Sequence, residues 1–247
     1  FGGTPGGVVA YNMSAEGSPS PIDGLNAYVG NNPVTIDSGD IDGDGLDDLL
    51  IVNETDNTLT LLFTQEDGES NLSFTSLTIT IPGGNQSITC GAIIDWNGNN
   101  SLDAVVGIDH YDPNTNDSYQ VLLDLSATTP SAGPTFDVPS YVQGQVFLPD
   151  PVTAVDSDGD RGFVGGTRYG RVHHATEMDN AFYCIGVLNG TNVVTVEAID
   201  LDDGGGDGLE DVMVASDEAE TIYLFQGNAS EADGFGDLIP LAVSEPV

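Results

Sequence analysis

Asp40-Ile-Asp42-Gly-Asp44-Gly-Leu46-Asp47-Asp48-Leu-Leu-Ile-Val52 is a loop of alternating carboxylates that runs straight into an apolar, strand-forming run. A tight turn lets every second side chain face its centre, so Asp40, Asp42 and Asp44 point inward from positions 1, 3 and 5. Gly45 at position 6 can take the positive-φ backbone that the turn needs. The Leu46 carbonyl falls at position 7, and Asp48 closes the ring from position 9. Such an all-oxygen cage suits Ca2+, which takes about 6–8 oxygens, better than Mg2+, which gives up its waters reluctantly.

The loop recurs. Asp95-Trp-Asn97-Gly-Asn99-Asn100-Ser101-Leu-Asp103 keeps the spacing, with amides at positions 3 and 5 and the Ser101 carbonyl at position 7. Asn100 replaces the glycine, and asparagine is the side chain that best tolerates left-handed backbone. Asp200, Asp202, Asp207, the Leu209 carbonyl and Asp211 fit the same scheme if residues are inserted between positions 3 and 5. Asp156, Asp158 and Asp160 form a shortened, degenerate version that lacks half the ligands. An EF-hand is excluded, because it needs a bidentate acid at position 12 and flanking helices. Position 12 is Ile51 in the first loop and Val106 in the second, and β-rich runs follow both.

The closing acids Asp48, Asp103, Asp160 and Asp211 lie about 50–60 residues apart, a repeat length that signals stacked units. The first full period reads as four strands, over 33–36, 49–52, 58–63 and 72–81, separated by Gly, Pro, Asn and Asp. No segment has useful helical periodicity. The expected fold is therefore all-β, a β-propeller of four-stranded antiparallel blades with a calcium loop between the first two strands of each. Blades are expected at about 32–85, 86–149, 150–190 and 191–247, after a partial one over 1–31, all in a single propeller domain.

Those residues resemble the FG-GAP (VCBS-type) repeats of integrin α-subunit propellers. The loop at 40–48 carries the resemblance, and Phe163-Val-Gly-Gly-Thr-Arg168-Tyr-Gly-Arg171-Val is similar to the family's glycine-containing turn between second and third strands. The resemblance implies structural Ca2+ and a role in adhesion or recognition. Residues 1–10 line up with the stretch from Phe163, so the chain is expected to open inside a second strand. Ser244-Glu-Pro-Val247 resembles the first-strand openings Asn32-Pro-Val-Thr35 and Asp150-Pro-Val-Thr153. Relatives usually close with seven blades, which implies a window on a longer propeller.

There are 40 acidic residues against 3 basic ones, a formal net charge of −37. Charge of this sign repels nucleic acid and anionic membrane surfaces. No apolar run approaches the ~20 residues of a membrane span, so membrane insertion is not expected. The partners that remain are an extracellular protein, a glycan, or copies of the chain itself in an assembly. Asn12, Asn53, Asn71, Asn85, Asn116, Asn189 and Asn228 are glycosylation acceptors by sequence, and Asn99 is set aside as a metal ligand. Cages of this type load where free calcium is plentiful, so an extracellular or cell-surface location is expected. Cys90 and Cys184 fall on an inner and an outer strand of different blades, too far apart for a disulfide, and are expected as two buried free thiols.

Arg161, Arg168, Arg171, His173 and His174 concentrate the chain's positive charge in the blade with the shortened loop. They read either as a cationic ligand patch or, for Arg161, as counter-charge to Asp156, Asp158 and Asp160. Trp96 sits where Ile41 and Leu201 stand in the sister loops and is expected in the core rather than on a sugar. No nucleophile–base pair stands out, and the loop spacing explains the carboxylates better as ligands than as a glycosidase pair. The expected function is non-catalytic, a calcium-stabilised propeller for adhesion, recognition or surface assembly. The alternatives are a lectin or the propeller of a polysaccharide lyase or hydrolase, and a glycosylated subunit of an extracellular filament.

Overall fold

The computed structural model describes residues 5–12, 19–69, 71–83, 85–112, 114–138, 149–156, 161–167, 170–177, 180–188, 192–199, 209–216, 221–228 and 235–241. These residues form strands and turns, with no helix among them. β1 (Pro5–Asn12) and β2 (Ser20–Asn31) pair as a two-stranded sheet. β3 (Pro33–Gly39), β4 (Asp48–Asn53), β5 (Thr58–Glu66) and β6 (Leu72–Thr80) make the first four-stranded sheet. The second holds β7 (Gln86–Ile94), β8 (Asp103–His110), β9 (Ser118–Leu123) and β10 (Ser131–Asp137). The third holds β11 (Pro149–Asp156), β12 (Arg161–Thr167), β13 (Arg171–Thr176) and β14 (Phe182–Val187). The fourth holds β15 (Val193–Ile199), β16 (Asp211–Ser216), β17 (Ile222–Gly227) and β18 (Phe235–Leu241).

Within each four-stranded sheet every strand is antiparallel to the next in sequence. The first strands of successive sheets lie side by side, β3 by β7, β7 by β11 and β11 by β15. That radial order makes the sheets the blades of a β-propeller. β2 lies against β4, β5 and most extensively β6, the outer strand of the first blade, so β1 and β2 hold third- and fourth-strand places. The second-strand opening expected at the start of the chain falls on residues 1–4, which lie outside the described residues.

Packing follows from the period of two along each strand. Leu50, Val52, Leu59 and Leu61 on one face of the first blade meet Ile88, Ile93, Val106 and Ile108 of the second, all buried. Ile51 and Leu62 face the other way and are buried as well. A ring-rich seam of Trp96, Tyr119, Phe136 and Phe163 joins the second and third blades. A Val- and Phe-rich seam joins the third and fourth. Each fully buried Val, Leu, Ile or Phe contributes about 1.5–3 kcal/mol, so the stability resides between blades as much as within them. β7, covered on both faces, is buried along its whole length, whereas Val34 and Ile36 of β3 are exposed.

Backbone polar groups are tied across the seams too. Asn57, in the β4–β5 turn with φ of 54°, donates from Nδ2 to the Gln86 carbonyl at 2.7 Å. Its Oδ1 accepts the Ile88 N–H at 3.1 Å. Asp37 Oδ2 accepts the Ile93 N–H at 2.8 Å.

Candidate metal centre

The first loop connects β3 to β4, and each carboxylate in it organises the backbone before any ion is considered. Asp40 Oδ2 accepts the Gly45 N–H at 3.0 Å, and Asp42 Oδ1 that of Asp44 at 3.2 Å. Asp44 Oδ1 accepts the Leu46 N–H at 2.9 Å. Gly43 and Gly45 take φ of 78° and 90°, the left-handed backbone that turns alternate side chains inward. Asp48 is completely buried, and both its oxygens are engaged. Oδ2 accepts the Ile41 N–H at 3.0 Å and the Asp42 N–H at 3.3 Å, while Oδ1 accepts the Thr64 N–H of β5 at 2.8 Å. The closing acid therefore fastens the loop to the third strand of its blade.

The second loop, between β7 and β8, repeats this network. Asp95 Oδ2 accepts from Asn100 N at 3.2 Å, Asn97 Oδ1 from Asn99 N at 3.2 Å, and Asn99 Oδ1 from Ser101 N at 2.7 Å. Asp103 Oδ2 accepts from Trp96 N at 3.0 Å, and its Oδ1 from Asp124 N at 2.7 Å. Gly98 and Asn100 hold φ of 69° and 63°, matching Gly43 and Gly45. The amides thus replace carboxylates without altering the turn. Burial pushes the carboxyls of Asp48 and Asp103 above their ordinary value, opposed by the N–H groups that each accepts.

The residues of the first loop fit a divalent cation. Asp40, Asp42 and Asp48 each offer an oxygen within 4.8 Å of the others. Asp40 Oδ1 is buried and meets no donor among the described residues, an expensive condition for a carboxylate oxygen unless something positive completes it. Asp44 lies on the same turn, outside that tightest cluster of carboxylates, with Leu46 two residues on. In the second loop Asp95, Asn97, Asn99 and Ser101 occupy the matching places. Of the third set, Leu209 and Asp211 are described, and Asp211 Oδ1 accepts the Gly227 N–H at 2.9 Å, as its sister acids do from their own third strands. Asp200, Asp202, Asp207, Asp158 and Asp160 lie outside the described residues, as does the side chain of Asp156.

The structure separates the described members of the cationic patch. Arg161 opens β12 and Arg171 opens the antiparallel β13, so they stand at opposite ends of one hairpin. His173 and His174, neighbours on a strand, point to opposite faces and are both buried. His173 stacks on Phe182 with ring centroids 4.9 Å apart, and His174 meets Phe235 edge-on at 5.0 Å. Burial holds the His173 imidazole down at about 4, so it is neutral, with Arg171 adding to the effect. Arg168 lies outside the described residues.

Two further expectations change, and that for Trp96 holds. Asn53 is not an accessible acceptor: it is buried, with Nδ2 donating to Thr60 Oγ1 at 3.0 Å and to Thr58. Asn12, Asn71, Asn85 and Asn116 are exposed, Asn228 is half-buried, and Asn189 lies outside the described residues. Cys90 and Cys184 are free thiols, but Cys184 is exposed, with Arg171 Nη1 3.9 Å from its sulfur. Trp96 is buried against Phe136 and Phe163.

One titratable site was not legible in the sequence. Asp117, at the far end of the second blade from the loops, is buried and accepts the His110 N–H at 2.9 Å. Burial, opposed by that N–H and reinforced by the neighbouring Asp109 carboxylate, pushes its carboxyl up to about 7. Only the β8–β9 pairing brings Asp109 and Asp117 together. A cavity of about 230 Å3 lies beside β3, lined by Val8, Val29, Val34, Ile36 and Ile51 among others, with no titratable side chain.

Residues 40–106, which include both well-formed loops and the strands between them, match the FG-GAP-like repeat. No curated protein matches the sequence. Among solved structures the chain is similar to a Dos1 propeller, at 11% identity over 93% of this chain and 67% of that one, with a TM-score of 0.48. It is similar to the Cps50 (Swd1) β-propeller domain of Myceliophteria thermophila at 10% identity, over 97% of this chain and 82% of that one, TM-score 0.44. It is also similar to BBS1N in complex with ARL6DN, at 10% identity over 86% and 82% of the two chains, TM-score 0.39. Identities this low carry no residue from those proteins to this one.

Proposed function

We propose that this FG-GAP-like repeat propeller is a non-catalytic module whose loops hold structural Ca2+ and whose rigid blades serve recognition or assembly outside the cell or at its surface. The observation that carries the reading is Asp40 Oδ1, buried without a donor among the described residues, beside the oxygens of Asp42 and Asp48. Asp40, Asp42, Asp44, Asp48 and the Leu46 carbonyl would hold one ion; Asp95, Asn97, Asn99, Asp103 and the Ser101 carbonyl would hold another. The ion supplies positive charge that joins the end of a first strand to the start of the second. The chain's own residues do the rest, setting the oxygens in place through the backbone bonds of each turn. A net charge of −37 supports a basic or neutral partner, a protein surface or a glycan, over nucleic acid. Extracellular calcium and the exposed acceptors Asn12, Asn71, Asn85 and Asn116 are consistent with a surface location.

Because an ion that binds only the folded state stabilises it by mass action, calcium at about 100 times its dissociation constant adds roughly 2.7 kcal/mol per site. At this chain length that corresponds to a melting temperature higher by about 5–10 °C for each site. Scanning calorimetry in CaCl2 and in excess EDTA should show the rise, and Asp42→Ala should remove part of it. A transition at the same temperature in both buffers would refute the reading.

A further inference from the structure

We propose that Arg161 is a built-in competitor for the cation at the second loop, so that the two cages differ in affinity and the second fills only as the guanidinium swings aside. This deepens the calcium reading and rests on it. Arg161 opens β12 opposite Asp156 in the strand register. Asp48, Asp103 and Asp211 hold the same place opposite Gly39, Ile94 and Ile199. The third blade thus carries a base where its sisters carry an acid.

Side chains alternate along a strand, so Arg161 shares a face with Phe163. Phe163 packs on Trp96, the second residue of the second loop, with ring centroids 6.1 Å apart. That aim takes the guanidinium off its own blade and onto the neighbouring loop. A Cβ built on Gly98 would collide with Arg161 Nη1, with Cζ at 3.3 Å and Nη2 at 3.8 Å. Among the described residues nothing equivalent covers the first loop, where a Cβ on Gly43 or Gly45 would find no atom within 4 Å.

Charge points the same way. The first loop presents the carboxylates of Asp40, Asp42, Asp44 and Asp48, whereas the second has only Asp95 and Asp103, with amides at Asn97 and Asn99. A positive charge standing over Gly98 of the less acidic cage repels a dication at close range. In largely aqueous surroundings this repulsion is worth on the order of tenfold in affinity. The chain holds only 3 basic side chains, and one of them stands here.

The chain's 1 tryptophan is Trp96, inside the second loop, which makes a site-specific readout available. Terbium titrated into chelator-treated protein, with the tryptophan alone excited, reports this loop by sensitised emission, and CaCl2 displaces it. Calorimetric titration with CaCl2 reports all the sites. Arg161→Gln should tighten the sensitised titration about tenfold and leave the binding step removed by Asp44→Ala unchanged, while Arg161→Lys should stay near the parent. An unchanged or weaker sensitised titration in Arg161→Gln overturns the proposal. So does sensitised emission missing from both proteins while calorimetry records binding elsewhere. Heat of binding absent from the parent protein would instead sink the calcium reading itself, and this proposal with it.

Discussion

Asp48 has two duties that one substitution can separate. Its oxygens hold the N–H groups of Ile41, Asp42 and Thr64 and also face the proposed ion. Removing the carboxylate leaves buried donors unmet, which costs about 1–3 kcal/mol per group. Asp48→Ala should therefore lose about 2–4 kcal/mol in urea denaturation even in excess EDTA, where no ion contributes. Asp44 is exposed and makes one backbone bond, so Asp44→Ala should cost under about 1 kcal/mol in EDTA and show its larger effect only with calcium present. Equal losses for the two variants in EDTA would show that the closing acid has no separate structural role. Asn100 gives the same lesson on a smaller scale: its φ of 63° is what lets a loop without glycine at position 6 keep its shape.

In the β8–β9 hairpin, Asp117 makes stability depend on pH. Its carboxyl titrates at about 7 when folded, against 3.8 ordinarily. A raised value means that the folded state binds the proton more tightly than the unfolded one. The stabilisation is then full below 3.8 and is lost as pH rises through about 7. Asp117→Asn keeps an oxygen for the His110 N–H and cannot ionise against Asp109. The variant should match the parent in acid and melt roughly 2–4 °C higher at pH 8. A parent that melts at least as high as the variant at pH 8 would show that Asp117 ionises there without penalty. The turns between strands matter in another way, because Asn57 reaches from one blade to bond the first strand of the next.

Across the propeller, cohesion depends on the seams, and the one between the second and third blades carries an acid-sensitive group. His173 lies in it, stacked on Phe182, with neither ring nitrogen hydrogen-bonded among the described residues. Its folded value of about 4 lies below the ordinary 6.5, so the unfolded chain takes up the proton first. Stability is thus unaffected above 6.5 and is lost as pH falls from 6.5 towards 4, by about 3 kcal/mol in all. His173→Phe fills the site with a ring that cannot charge and gives up no hydrogen bond to any described residue. Denaturation midpoints at pH 7 should be equal or higher in the variant, and its decline between pH 6.5 and 4 should be shallower than the parent's. Parallel declines would mean that the imidazole is free to charge within the seam.

The strands, their order within a blade and the loops at 40–48 and 95–103 were legible in the chain, because each rests on local rules. Alternation sets which side chains face inward, Gly or Asn supplies left-handed backbone, and turn residues end each strand. The recurrence of the loop then gave the propeller, since one blade cannot bury its faces alone. Contacts between blades were not legible, because they join residues far apart in sequence whose side chains meet only after the sheets stack. Folding alone put Arg161 over Gly98, sent His173 and His174 into separate seams, buried Asn53 and set Asp109 beside Asp117. Arg161, Arg171, His173 and His174, clustered in the sequence, became scattered groups in space because a strand turns neighbouring side chains to opposite faces and a hairpin sends its two ends apart.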